Sequence, residues 1–295
     1  MASSPPNSRT NLDKAIQRLY GQRARFVEAR SILARTVVGQ LLPDAVAKGG
    51  GALQLRFGGA TTRATFDFDA ARRGALDAFV ETLGRRLREG WNGFTGVVVA
   101  ERPARPRGVP GEYVMRPFSV KLAYRGHPWC TVALEVGHDE IGDADEPEFV
   151  LAPEIAEMFS AIGLPAPAPV PLMPLAFQVA QKLHAATSPG NQRAHDLIDL
   201  QLIAARTPLD LPRIRALCVR LFDYRRMQPW PPRVEALTGW DDIYRSRSAG
   251  LPVLPTVEEA VAWANALVAK IDAATPWHPH PATPRTTEHD EPKLR

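Results

Sequence analysis

Two aspartates one residue apart, Asp67 and Asp69, lie in the stretch Thr65-Phe66-Asp67-Phe68-Asp69. Side chains of an extended strand alternate between faces, so Phe66 and Phe68 are expected to enter a core while Thr65, Asp67 and Asp69 share the other face. Neighbouring carboxylates repel unless a cation neutralises them. An oxygen-only donor set suits Mg2+ or Mn2+, ions that also bind phosphate oxygens. Glu135 sits in a later strand-like run with Leu134 and Val136 on the opposite face, so it is either a third carboxylate aimed at the same place or a surface glutamate. Two or three carboxylates around two metals suit in-line displacement at phosphorus. Upstream, Lys48-Gly49-Gly50-Gly51 is a permissive turn whose free N–H groups, followed by a helix N-terminus, can cradle a triphosphate. Lys48 reads as a phosphate contact or a surface charge.

A second group of polar residues falls on helical segments. Lys182 borders the apolar stripe Leu175, Val179 and Leu183, a place where lysines commonly snorkel. Asp196 and Asp199 share a helix face at a spacing of three, and His195 and Asp199 at four, so they read as a solvated acidic edge or as partners of Lys182. His184 reads as a core histidine. Arg193 and Arg233 read as nucleic-acid or phosphate contacts or as surface charges, and Trp230 as a packed or base-stacking ring.

The elements that must position these groups divide the chain. Residues 1–9 read as a disordered lead, and apolar spacing from Asn11 to Leu42 predicts helix divided at Gly21. Strands are expected over 62–69, 94–100, 119–124 and 130–136, a helix over 73–89, and a loop over 102–111. Five prolines between Pro165 and Pro174 predict a stiff segment unfit for a sheet interior, and hence a domain boundary. Beyond it the spacing is helical, with Asp210 as an N-cap and Thr256–Glu259 as a capping box, until Pro276. The expected organisation is an α+β unit over 10–164 with helices on a mixed sheet, a helical unit over 165–275, and a disordered tail over 276–295.

At 295 residues and 45% hydrophobic content the chain can bury a substantial core, which excludes global disorder. The pI of 9.3 and its arginine-rich basic side suit a polyanionic partner or reflect composition alone. Cys130 and Cys218 are far apart and embedded in apolar runs, reading as buried free thiols of a reducing compartment. No signal segment or membrane-length apolar run is visible, so a soluble cytoplasmic protein is expected.

Taken together, three segments resemble the AbiEii-type nucleotidyltransferase toxins, in their MenT branch, within the polymerase β-like superfamily. These are Lys48-Gly49-Gly50 with Arg63-x-Thr65-x-Asp67-Phe68-Asp69, then Ala180-Gln181-Lys182-Leu183-His184, and Arg193-Ala194-His195-Asp196-Leu197-Ile198-Asp199. Pro229-Trp230-Pro231-Pro232-Arg233 is similar to a further segment of that branch. The resemblance implies the polymerase β-like nucleotidyltransferase fold for the mixed sheet. It implies that Asp67 and Asp69 hold the metal, that Lys182 contacts nucleotide phosphates and that Asp196 completes the site. It also implies transfer of nucleotides, often pyrimidines, from NTP to the 3′ CCA end of tRNA, which blocks aminoacylation, and a cognate antitoxin. In some relatives the antitoxin is kinase-like and phosphorylates the position of Thr65. Two positions depart from the pattern: Gly50-Gly51 replaces a turn that often carries a hydroxyl, and His195 stands where many relatives have lysine or arginine. Nucleotidyl transfer to a protein or small molecule, and a non-enzymatic nucleic-acid-binding regulator, are the alternative readings.

Overall fold

The computed structural model describes residues 4–103 and 114–275. The first three residues of the expected lead, most of the expected 102–111 loop and the expected tail lie outside the described residues. Helix α1 (Arg9–Tyr20) is capped by Ser8, whose side chain accepts from the Asn11 N–H at 3.2 Å. Gly21, at φ 59°, turns the chain into α2 (Arg23–Leu41), as its permissive backbone suggested. The Pro6 carbonyl accepts from the Tyr124 hydroxyl at 2.7 Å and from Arg125 Nε at 2.9 Å. The chain is therefore built into the fold from Pro6, where a disordered lead through residue 9 was expected.

Seven strands follow: β1 (Ala45–Lys48), β2 (Asp67–Arg72), β3 (Phe94–Ala100), β4 (Arg116–Tyr124), β5 (His127–His138), β6 (Glu148–Val150) and β7 (Val170–Leu172). Between them run α3 (Gly49–Phe57), α4 (Leu76–Glu89) and α5 (Pro153–Ala161). The sheet order is β3-β4-β5-β2-β1-β7-β6. It is mixed: β2 runs parallel to β5 and antiparallel to β1, and β7 runs parallel to β1. Strands β4 and β5 form a hairpin whose turn, Arg125 (φ 48°) and Gly126 (φ 79°), has the two positive φ values that match strand twist.

Several boundaries differ from the sequence expectation for identifiable reasons. The strand expected over 62–69 is β2 at 67–72, so the alternation of faces begins only at Asp67. Phe68 is fully buried as expected, but Phe66 lies before the ladder and is 54% exposed. Helix α4 starts at Leu76 rather than at residue 73, because Gly74 at φ 56° cannot continue a right-handed helix. The proline-rich segment does enter the sheet interior, as β7 between β1 and β6. There Leu172 is opposite Ala47, and the Met173 N–H donates to the Ala47 carbonyl at 2.8 Å. Helix α5 was not foreseen.

One face of the sheet, including Ala47, Phe68, Ala70, Val120, Leu134 and Leu172, packs with α1, α2 and α5 in a first core. After β7 the chain is helical: α6 (Leu175–Thr187), α7 (Ala194–Arg206), α8 (Leu211–Arg225), α9 (Trp240–Ser248) and α10 (Val257–Asp272). Asp210 and Thr256 cap α8 and α10 as expected, accepting from Arg213 N–H at 3.1 Å and Glu259 N–H at 3.2 Å. These helices share a second core that also takes in Val46, Leu53 and Ala71. Val46 and Ala71 belong to the same sheet face as Lys48 and Asp69, so the helical half covers part of that face. Cys218 is buried, whereas Cys130 is only half-buried, and neither is in a disulfide. Among the described residues no helix is long and apolar enough to cross a membrane.

Candidate active site

The acidic pair rides on β2, the middle strand of the seven. Lys48 of β1, Asp69 of β2 and Glu135 of β5 are in direct register across three neighbouring strands, and Asp67 is opposite Ala133. All four side chains therefore leave the sheet on the face away from the first core. Asp67 and Glu135 are exposed and Asp69 is half-buried, while Lys48 is only 8% exposed. Burial pushes Asp69 up to about 6; Lys48 pulls it down, Glu135 and Asp67 push it up, and Arg193 pulls it down. Three glycines open space around this cluster. A Cβ on Gly49, itself at φ 66°, would lie 2.2 Å from Asp69 Oδ2. One on Gly51 would lie 3.1 Å from the Asp67 carbonyl, and one on Gly137 would lie 3.4 Å from Lys48 Nζ. The glycine turn is thus the first turn of α3 pressed against β2, with the unpaired N–H groups of that turn beside the carboxylates.

Asp67, Asp69 and Glu135 do not close into the expected three-ligand centre: among the described residues, no three histidine, cysteine or carboxylate side chains form a metal-binding group. Glu135 is offset on a neighbouring strand, about 4.8 Å away at the backbone. The donor chemistry nevertheless fits a hard divalent ion, since Mg2+ is commonly held by one or two carboxylates with water and phosphate oxygens in its remaining positions. Mutual repulsion within the cluster favours such a cation.

The irregular stretch leading into β2 is held from inside the protein. Arg35 of α2, 1% exposed, donates to the Thr65 carbonyl and to Gln54 Oε1. Gln54 in turn donates to the Arg63 carbonyl at 3.1 Å. Burial lowers Arg35 to about 10, and the nearby Glu28, Asp67 and Asp69 oppose that shift. Thr65 is half-buried at the entrance to β2. Arg35 and Gln54 carry no motif; the only sequence trace is a charged residue inside the apolar run of α2.

The helical half supplies a buried ion network. Lys182 Nζ of α6 donates to Asp196 Oδ1 at 2.8 Å and to Asp199 Oδ2 at 2.6 Å, both on α7. Arg63, from the stretch before β2, forks the same Asp199 with Nε and Nη2, each at 2.9 Å. Asp199 and Asp196 are 1% and 3% exposed. Burial alone would raise Asp199, but Lys182 and Arg63 outweigh it and hold it below the usual carboxylate range. Their spacing of three suggested a shared face; that both are buried against Lys182 and Arg63 was not legible. Burial lowers His195, beside Asp196, to about 4, so it is neutral near pH 7. His184 is buried and lowered to about 3 by burial and Arg225, whose Nη1 lies 3.2 Å from its Nδ1. Arg193 is exposed at the N-cap of α7. Arg233 is brought to no such place: it is exposed and pairs with Glu235 at 3.9 Å. Trp230 packs edge-on against Phe222 and donates to Asp272 Oδ1 at 2.9 Å.

Asp143, unremarked in the sequence, is fully buried, accepts from Gln181 Nε2 at 2.6 Å and leaves Oδ1 unpaired. A cleft of about 570 Å³ lies against the other side of the 59–64 stretch, lined by Tyr20, Glu28, Ile32, Glu154, Met158 and Arg247 among others; it does not contain the strand carboxylates.

Residues 31–269 match the sequence model of a family described as "Nucleotidyl transferase AbiEii toxin, Type IV TA system". In fold the chain is similar to MenT4, a nucleotidyltransferase toxin from Mycobacterium tuberculosis, with a TM-score of 0.51 and 20% identity over 90% of this chain and 98% of that one. A weaker likeness, with a TM-score of 0.43 and 16% identity, covers 83% of this chain and 91% of JHP933 from Helicobacter pylori. A search of curated proteins returns no match.

Proposed function

The chain belongs to the AbiEii nucleotidyltransferase toxin family of type IV toxin–antitoxin systems, and from this premise we propose that it transfers a nucleotide, preferably a pyrimidine, from NTP to the 3′ CCA end of tRNA. The tRNA would lose its capacity for aminoacylation and translation would stop, with the protein acting in the cytoplasm. The observation that carries this reading is the ladder Lys48–Asp69–Glu135, with Asp67 on the same face. Such a cluster suits a nucleoside triphosphate accompanied by a divalent ion better than any uncharged ligand.

In this mechanism Asp67 and Asp69 hold Mg2+ or Mn2+, with Glu135 as a flanking carboxylate. The ion when bound neutralises charge on the reacting phosphate and polarises its oxygens. Lys48 and the first turn of α3, Gly49 and Gly50, face the triphosphate. Lys182 and Asp196 support the site from the helical half, and Arg193 and Arg233 are the candidate tRNA contacts. The 3′ oxygen of the acceptor forms its bond to the α-phosphorus as the bond to pyrophosphate breaks, and the hydroxyl proton leaves to water. Catalysis is then chiefly positioning and charge compensation.

The test is incubation with each labelled NTP and total RNA, followed by sequencing of tRNA 3′ ends. Asp67→Asn and Asp69→Asn are expected to lower transfer by at least about a hundredfold with unchanged circular dichroism. Full activity in either variant, or in excess EDTA, would remove the metal-assisted mechanism. Label that survives RNase would move the acceptor to a protein or small molecule.

The cognate antitoxin would be kinase-like and act on Thr65. A phosphate there adds like charge beside Asp67 and fills the space of the ion and triphosphate. Thr65→Val is expected to escape inactivation by the antitoxin in a transfer assay, and a silenced Thr65→Val protein would exclude this site.

A further inference from the structure

Lys182 is in the wrong electrostatic situation to serve as the cation that meets a triphosphate. It is 6% exposed, and its ammonium donates to Asp196 at 2.8 Å and to Asp199 at 2.6 Å. With the Arg63 fork on Asp199, the group comprises two cations and two carboxylates, so its formal charge is zero. An approaching phosphate finds no surplus positive field there. Turning Lys182 toward it would leave buried Asp196 without its cation and Asp199 with Arg63 alone, which is strongly unfavourable. The arrangement looks instead like a fastening. Arg63 belongs to the sheet half, while Lys182, Asp196 and Asp199 belong to the helical half. Arg63 also lies over the first turn of α3, where a Cβ on Gly50 would come within 2.7 Å of its Nη2.

Two other cations lack such partners. No hydrogen bond or ion pair among the described residues ends on Lys48 Nζ, although Lys48 is 8% exposed and in register with Asp69. The Arg193 side chain likewise has none among the described residues, and it stands one residue before α7, the helix that Asp196 and Asp199 anchor. Lys48 is the direct neighbour of Asp69 across the β1–β2 ladder, and Arg193 opens the helix whose Asp199 is forked by Arg63 over Gly50, so each half brings one such cation to this region.

We propose that Arg63, Lys182, Asp196 and Asp199 form a charge-neutral latch between the two halves, with Lys182 a positioning residue, and that Lys48 and Arg193 are the cations that meet the triphosphate. This rests on the nucleotidyl-transfer reading. It removes Lys182 from phosphate contact and gives Arg193 to the nucleotide rather than to the RNA.

The test is equilibrium binding of each of the four NTPs with Mg2+ and no RNA, followed by calorimetry. Lys48→Met and Arg193→Met are each expected to weaken binding by about ten- to a hundredfold, the loss of a charge-assisted contact. Lys182→Met alone leaves the latch with an excess negative charge and is expected to lower the melting temperature. Lys182→Met combined with Asp196→Asn restores neutrality and is expected to bind NTP within about threefold of the unmodified protein. A folded double variant that binds as weakly as Lys48→Met would overturn the proposal. Should the double variant not fold, NMR of lysine side chains in the unmodified protein decides. The Lys48 signal is expected to shift on adding NTP and that of Lys182 to stay, and the reverse would refute the assignment. Failure of the unmodified protein to bind any NTP would strike the nucleotidyl-transfer reading itself, an outcome separate from all of these.

Discussion

Asp143 has no exposed surface, one carboxylate oxygen bonded to Gln181 and the other without a partner. Burial pushes it from the ordinary 3.8 up to about 7; Lys48 opposes this, while the nearby Asp139 and Glu140 add to it. The folded protein therefore binds a proton here that the unfolded chain releases near 4. The resulting stability is fully present below that value and is lost as pH rises through about 7. Asp143→Asn keeps an acceptor for Gln181 and cannot ionise. It is expected to be more stable than the unmodified protein at pH 8, on the order of a few kcal/mol, with little difference at pH 5. Denaturant melts at the two pH values check this, and equal pH dependence in both proteins would contradict it. Single residues differed in what the sequence could say of them. Asp67 and Asp69 could be named as candidates because neighbouring carboxylates on one strand face repel, and Lys48 because it precedes the glycine turn. Phe66 could not be separated from Phe68, because alternation tells which residues share a face but not where the ladder begins. Asp143 gave no signal at all, since its burial depends on α6, distant in the chain.

At the scale of elements, the junction of β1, α3 and β2 does most to shape the site. The run of three glycines was legible as a turn, but each glycine has a separate reason to lack a side chain. Gly49 adopts φ 66° and touches the Asp69 carboxylate, Gly50 lies under Arg63, and Gly51 lets the Asp67 backbone approach α3. Gly49→Ala would force an L-residue into the left-handed region, at about 1–2 kcal/mol, and would press a methyl group on Asp69. Transfer activity is expected to fall by more than this loss of stability explains, as measured by rate at a temperature well below melting. Normal activity in a folded Gly49→Ala protein would argue against the contact. Helices α6, α7, α8 and α10 were readable because their apolar spacing and caps at Asp210 and Thr256 are local signals, whereas α9 (Trp240–Ser248) was not. Strands β6 and β7 were not: each has three residues, and Pro171 within β7 argued against sheet. Pairing with β1 on one side and β6 on the other makes that short segment a strand.

The whole molecule has two cores that are not independent. Val46, Leu53 and Ala71 of the sheet half are packed within the core of the helical half, and Arg63 is forked onto Asp199 across the same boundary. Arg56 adds a bond to the Met173 carbonyl, and Arg206 of α7 one to the Thr61 carbonyl. Heating is therefore expected to give one calorimetric transition, whose calorimetric and van't Hoff enthalpies agree; two resolved peaks would show halves that melt separately. The switch from mixed to purely helical periodicity was visible, but the interlocking of the two cores was not, because residues far apart in the chain make it. The strand order has one more consequence. With three strands on either side, β2 is the last place that fraying from an outer margin reaches, so its amides should be among the slowest of the sheet to exchange with deuterium. A change confined to the outer strands β3 or β6 would therefore leave the backbone under the acidic pair in place.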